Sequence, residues 1–160
     1  MVLRLFFMEL SYCTFEITPR YSSSLIYGLF VLRDKEGRQI KAYRATSGQP
    51  GYQYVGASSV KAKGIIPSGE FTLSRGYPSS IPGIVDLKGK GWFFPIEGNN
   101  IRSVGRSSIG FHFDGGKKGS STLGCIGVEN SNSFWEIHDS LMLYFKNHNV
   151  NSIPLKVIYK

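Results

Sequence analysis

Only one stretch of this chain carries the periodicity of a helix. Over residues 134–147 the apolar side chains Phe134, Ile137, Leu141, Tyr144 and Phe145 fall at i, i+3, i+7, i+10 and i+11, one stripe of an amphipathic helix. Ser131-Asn132-Ser133 just before them offers N-cap side chains. Elsewhere the pattern has period two, in short runs ended by turn residues. Runs at 25–33 and 39–46, joined by Asp34-Lys35-Glu36-Gly37, predict a hairpin. Further strands are predicted at 70–74, 91–96, 108–113 and 153–159, with Pro95 placing the 91–96 run at an edge or a strand end. The apolar run 3–10 predicts an N-terminal strand, and Cys13 lies in a β-like run. The expected fold class is therefore mostly β with one packed helix. The expected organisation is a single domain over 1–160, with 1–20 as an N-terminal strand extension.

Composition agrees with this pattern. The chain of 160 residues holds 2 Trp, 9 Tyr and 11 Phe, residues that favour strands. Its 19 glycines exceed the usual share of about 7% and imply many tight turns. A helical bundle, a coiled coil or a linker would have a different profile. The net charge is +8, which favours an anionic partner. The positive residues are scattered, however, with Lys61/Lys63, Lys88/Lys90 and Lys117/Lys118 the densest groups. A solvated basic surface explains them as well as a nucleic-acid face does, and no specific nucleic acid is expected.

Two cysteines, Cys13 and Cys125, allow one disulfide at most and form no Cys/His cluster with metal-ligand spacing. The run 3–10 carries Arg4 and Glu9, is too short to span a membrane and lacks the features of a signal peptide. No transmembrane segment is expected. Action outside the cytoplasm would require a route other than the standard secretory signal, or attachment to a virion. Nothing in the sequence sets the oligomeric state.

One region has the residues for covalent chemistry. Phe111-His112-Phe113-Asp114 closes a predicted strand, and twelve residues lie between His112 and the Cys125 of Gly124-Cys125-Ile126-Gly127. A thiol becomes a strong nucleophile once a nearby imidazole takes its proton. A glycine before the nucleophile lets backbone N–H groups turn toward a developing oxyanion. Arg106 can bind a substrate carboxylate through two parallel hydrogen bonds, or be a surface arginine. Asp114 can orient the imidazole, or form the turn before Gly115-Gly116.

This segment resembles the signature of L,D-transpeptidase (YkuD-like) catalytic domains. It is most similar to the short branch with Ser/Thr-x-Gly-Cys-Ile, which includes peptidoglycan-targeting bacterial effectors. Here that motif reads Thr122-Leu123-Gly124-Cys125-Ile126. Three further stretches resemble the same branch: Thr46-Ser47-Gly48, Gly64-Ile65-Ile66-Pro67-Ser68-Gly69-Glu70-Phe71, and Gly105-Arg106 ahead of Phe111-His112. The sequence departs from the more widespread pattern at Leu123, where many relatives have His, and at Gly127, where Arg or Asn is usual.

The resemblance implies a β-sandwich with a helix against one sheet, and acyl transfer on the stem peptides of peptidoglycan. It assigns Cys125 as nucleophile and His112 as general base. The Phe113 carbonyl orients the imidazole, and the N–H groups of Gly124 and Cys125 form the oxyanion hole. Arg106, Ser121, Thr122 and Asp114 are the expected substrate-binding residues. A thioester forms and is resolved by an amine, by a free D-amino acid or by water, with no metal or organic cofactor. The implied site of action is the bacterial cell envelope or periplasm, for an antibacterial effector, a phage protein or a resident wall enzyme. The alternative is a non-catalytic cell-wall-binding or virion structural module on the same fold.

Overall fold

The computed structural model describes residues 8–106, 108–115 and 124–160. In chain order its strands are β1 Tyr12–Ile17, β2 Gly28–Arg33, β3 Gln39–Ser47, β4 Gly69–Ser74, β5 Tyr77–Pro78, β6 Trp92–Glu97, β7 Gly110–Phe113, β8 Ile126–Val128 and β9 Ser152–Tyr159. A five-residue helix α1, Asn99–Ser103, follows β6, and the long helix α2, Ser131–His148, lies between β8 and β9. The protein is mostly β with one main helix, in line with the sequence pattern.

The strands pair in the order β4-β9-β1-β2-β3-β8-β7-β6, and β4 also pairs with β6, so the circuit closes into a barrel with β5 attached to β6. Two strands turn its corners. β3 pairs with β2 over residues 39–45, then hands Thr46 and Ser47 to β8. β6 pairs with β5 at Trp92 and Phe93, with β7 at Phe94 and Pro95, and with β4 at Ile96 and Glu97. Strands that switch partners in this way are how two walls share a corner.

Pro95 therefore lies within the circuit rather than at the edge or strand end its ring predicts. The Ile96 N–H donates to Ile109 O at 2.8 Å, toward β7. By alternation the Pro95 nitrogen points the other way, where β6 changes from β5 to β4. Proline's missing donor is tolerated at such a break.

The N-terminal strand also differs from expectation. Residues 8–11 precede β1, and residues 3–7 of the predicted strand lie outside the described residues. β1, which holds the β-like run around Cys13, is interior to the circuit. It pairs antiparallel with β2 and parallel with β9, and it buries Cys13, Phe15 and Ile17. The expected hairpin forms with its turn fixed by Asp34, whose Oδ1 accepts from the N–H groups of Glu36 and Arg38 at 3.0 and 2.9 Å.

The barrel interior is aromatic. Phe30 stacks on Phe111 with centroids 4.4 Å apart, and Phe134 of α2 meets Phe94, Phe111 and Phe113. The helix buries the face its spacing specifies, Phe134, Ile137, Leu141 and Phe145. Each such side chain contributes about 1.5–3 kcal/mol by leaving water, and Phe134→Ala loosens this seam by also removing the contacts to Phe94, Phe111 and Phe113. The N-cap is Asn130, one residue earlier than the predicted trio; its side chain accepts from Ser133 N at 2.9 Å. Asn149 ends the helix in the left-handed region, with φ 51°, a role asparagine fills well. Among the described residues no helix is long and apolar enough to cross a membrane.

Candidate active site

β7 and β8 run parallel, with Phe111 opposite Ile126, His112 opposite Gly127 and Phe113 opposite Val128. Phe111, Phe113, Ile126 and Val128 are buried core residues. Alternation then sends His112 to the opposite face. Extending the register by one residue sets Cys125 opposite Gly110. That face carries two reactive side chains on one diagonal and two glycines, Gly110 and Gly127, on the other. Two residues of rise and one strand spacing put the Cα atoms of His112 and Cys125 on the order of 8 Å apart, with no other Cβ between the two strands there. The pairing makes the glycines purposeful. A Cβ on Gly110 would meet the Phe93 ring at 2.3 Å, and that ring stacks beside His112 with centroids 6.1 Å apart.

The thiol has defined partners. Cys125 Sγ accepts from Gly110 N at 3.3 Å and lies 3.9 Å from the Ser108 carbonyl. Because the preceding carbonyl, Ile109 O, bonds to β6, the Gly110 N–H faces β8, and sulfur takes the place of a ladder carbonyl. Burial raises the Cys125 pKa to about 11, against the opposing pull of the Gly110 N–H and the Arg106 charge. At neutral pH the group is a thiol, so its nucleophilicity depends on a base.

His112 is 2% exposed, and its Nδ1 lies 2.8 Å from Phe113 O. A carbonyl only accepts, so the proton is on Nδ1 and the basic lone pair is on Nε2. Asp114, also buried, extends the β7–β8 ladder by one bond, from its N–H to Val128 O at 2.8 Å.

Arg106 is buried, with 5% of its surface exposed. Nη1 donates to Ser58 O and Ile65 O at 2.8 and 2.9 Å, and Nη2 to Gly64 O at 3.0 Å. Its guanidinium occupies the space under Gly124: a Cβ there would lie 1.5 Å from Nη2, and Gly124 has φ +91°. The arginine expected at the substrate thus ties three loop carbonyls beneath the turn at Gly124-Cys125.

Ser47 makes a second tie. Its Oγ donates to Gly124 O at 3.3 Å and accepts from Ile66 N at 2.9 Å. Gly48 is needed beside it, since a Cβ there would sit 2.8 Å from Ile65 N. All four sequence stretches, around Thr46, Gly64, Arg106 and Cys125, therefore meet at one point. The strut roles of Ser47 and Arg106 are not legible from spacing, because both are contacts to backbone carbonyls or amides far away in sequence. Gly110 and Gly127 gain their meaning only from the parallel pairing, which sets them across from Cys125 and His112.

Ser121 and Thr122 lie outside the described residues, as do Leu123, Lys117 and Lys118. Among the described residues no group of three His, Cys, Asp or Glu side chains is placed to hold a metal ion. Cys13 and Cys125 are both free thiols. Compared with known proteins, the chain matches no family model and no curated protein.

Proposed function

We propose that this protein is a cysteine acyltransferase of L,D-transpeptidase (YkuD-like) type, acting on peptidoglycan stem peptides. The observation that carries the proposal is the meeting of four separated motifs around Cys125, with His112 on the same sheet face. Two walls joined at corners β3 and β6, with α2 against one of them, support the finer reading of the fold as the sandwich of that family.

The chemistry follows from the groups. A thiol whose pKa is about 11 holds little standing thiolate, so proton transfer to His112 Nε2 accompanies attack. Sulfur adds to the carbonyl of the third, diamino-acid residue of the stem. The oxyanion is met by the N–H groups of Gly124 and Cys125, where Gly124 has the positive φ needed to turn the backbone. Collapse expels the terminal D-amino acid, whose amine takes the proton from His112. The resulting thioester is resolved by water, a free D-amino acid or a second stem amine. Ser47 and Arg106 position the turn, and Phe93 stacks beside His112. Activity of this kind places the protein's work in the bacterial envelope.

The burial of both His112 and Cys125 favours a second reading, a wall-binding module with a closed site. Incubation with purified tetrapeptide muropeptides, read by mass spectrometry, separates the two. The acyltransferase yields tripeptides or exchanged termini, and Cys125→Ala abolishes them while His112→Ala costs roughly 10²–10⁴-fold. A folded wild-type protein that binds muropeptides without changing them, and that a carbapenem fails to acylate, overturns the first reading.

A further inference from the structure

Away from Cys125, a cavity of about 460 Å³ opens between the 78–91 loop and the N-terminal half of α2, a volume typical of small-ligand sites. Trp92, Trp135 and His138 line it together with Ser79, Ser80 and Lys90. Both tryptophans of the chain are here, and both indole N–H groups are already used. Trp92 Nε1 donates to Arg75 O at 2.8 Å, and Trp135 Nε1 to Asp86 Oδ2 at 3.0 Å. Their N–H groups are thereby satisfied, and what the rings offer a ligand is carbon.

His138 packs between them, edge-on to each, with centroids 4.8 and 4.9 Å away. Its Nδ1 lies 2.9 Å from Asp139 Oδ1, which holds the proton there and makes Nε2 an acceptor. Among the described residues Nε2 is the one buried side-chain nitrogen or oxygen with no hydrogen-bond partner. A buried acceptor left unpaired is costly, and native structures rarely leave one without a reason.

We propose that this cavity is a saccharide-binding site. A sugar ring has an apolar face for an indole and hydroxyl or amide donors along its edge, the pairing this cavity lacks and needs. The imidazole fills the gap between the indoles, so no slot is left for a flat aromatic base. No acidic side chain lines the cavity, and Lys90 does, which disfavours a cationic ligand and suits a neutral or acidic sugar. Reaching His138 Nε2 displaces an indole from its edge-on contact, so occupancy changes tryptophan emission. The inference does not depend on the chemistry assigned to Cys125. Trp92 and Phe93 are adjacent residues of one strand, and alternation puts this cavity and His112 on opposite faces of β6.

The test is tryptophan fluorescence titration of the full chain with two probes, a β-1,4-linked N-acetylglucosamine trisaccharide and its glucose counterpart. A saturable change with either supports the proposal, and the better probe shows whether an acetamide or a hydroxyl serves Nε2. His138→Phe keeps an aromatic ring in place but removes the acceptor; it should weaken binding about five- to tenfold, the worth of one hydrogen bond. Cys125→Ala should leave the affinity unchanged. A thermal melt confirms that each variant is folded. No saturable change with either sugar, or tighter binding of adenosine than of both, overturns the proposal, as does unaltered affinity in folded His138→Phe.

Discussion

Arg106→Met tests whether the turn that presents Cys125 is built on a buried cation. The guanidinium makes three bonds to the carbonyls of Ser58, Gly64 and Ile65 and is 5% exposed. Methionine fills much of the volume and donates nothing. Bonds from a charged donor are worth about 1.5–3 kcal/mol each, but the folded state no longer has to desolvate a cation, which returns several kcal/mol. Its partners are neutral carbonyls, so no unpaired charge is left behind, and the net loss is on the order of 3–5 kcal/mol from the three bonds less that return. For a domain of this size that lowers Tm by roughly 10 °C. A second readout separates positioning from stability. Burial lifts the Cys125 pKa, and the Arg106 charge opposes that rise. Without Arg106 the thiol should titrate higher still. The rate of iodoacetamide labelling at Cys125, followed by mass spectrometry against pH, should shift to higher pH in Arg106→Met at a temperature where it remains folded. Arg106→Lys keeps the charge and should restore the labelling profile more fully than the stability, since one ammonium cannot reach all three carbonyls in the same geometry. A variant Arg106→Met that melts within 2 °C of wild type and labels with an unchanged pH profile would refute the reasoning.

Three further outcomes are expected. Gly110→Ala places a methyl 2.3 Å from the Phe93 ring, and the ring must move off its stack beside His112; overpacking costs about 1–3 kcal/mol, and turnover of muropeptides should fall more than Tm does. Alkaline conditions should destabilise the fold: burial raises both Cys13 and Cys125 above the usual thiol value of 9.0, so above pH 9 the unfolded chain loses protons that the folded chain keeps. By linkage, stability drops as pH rises from 9 toward 11, with a limiting slope of about 1.4 kcal/mol per pH unit per thiol, measurable by urea unfolding at pH 8 and pH 10. Glu16 shows the reverse sign. Burial raises its pKa, but hydrogen bonds from Lys160, Arg33 and Thr14 outweigh that and bring it down to about 2. Its contribution is present above the ordinary value of 4.5 and is lost as pH falls toward 2, so Glu16→Gln should flatten the acid limb of the stability curve between those values.

How much of this was readable from the sequence depends on whether the responsible interaction is local. The α2 face was legible because Phe134, Ile137, Leu141 and Phe145 must share one side of any helix. The β2–β3 hairpin was legible because Asp34 and Gly37 build their own turn. β8 was not predicted: three residues, Ile126–Val128, are too few to show alternation, and Gly127 interrupts them. β1 was legible only as the β-like run around Cys13, because Thr14 and Glu16 look unlike a central strand. The structure explains Glu16 by its ion pairs to Arg33 at 2.6 Å and Lys160 at 2.7 Å, the second from the far end of the chain. At the candidate site His112 and Cys125 were legible as residue types, whereas the buried struts at Ser47 and Arg106 depend on partners tens of residues away.

The parallel pairing of β7 and β8 explains why the site needs short strands. In a parallel pair, the end of one strand and the start of the next lie at opposite ends of the ladder, so a histidine near the end of β7 and a cysteine before β8 would separate as the strands lengthen. Here β7 has four residues and β8 three, which limits the offset between His112 and Cys125 to two residues, about 6.6 Å of rise. A connection between parallel neighbours needs about a dozen residues, and residues 114–125 supply about that minimum. Strand length, connection length and the two glycines opposite the reactive pair thus constrain one another. Lengthening β8 at its start would carry the cysteine away from the histidine by about 3.3 Å per residue. The same argument accounts for Ser47 and Arg106. A cysteine held before a three-residue strand has little ladder to fix it, and these two side chains fasten its turn to the 58–66 loop instead.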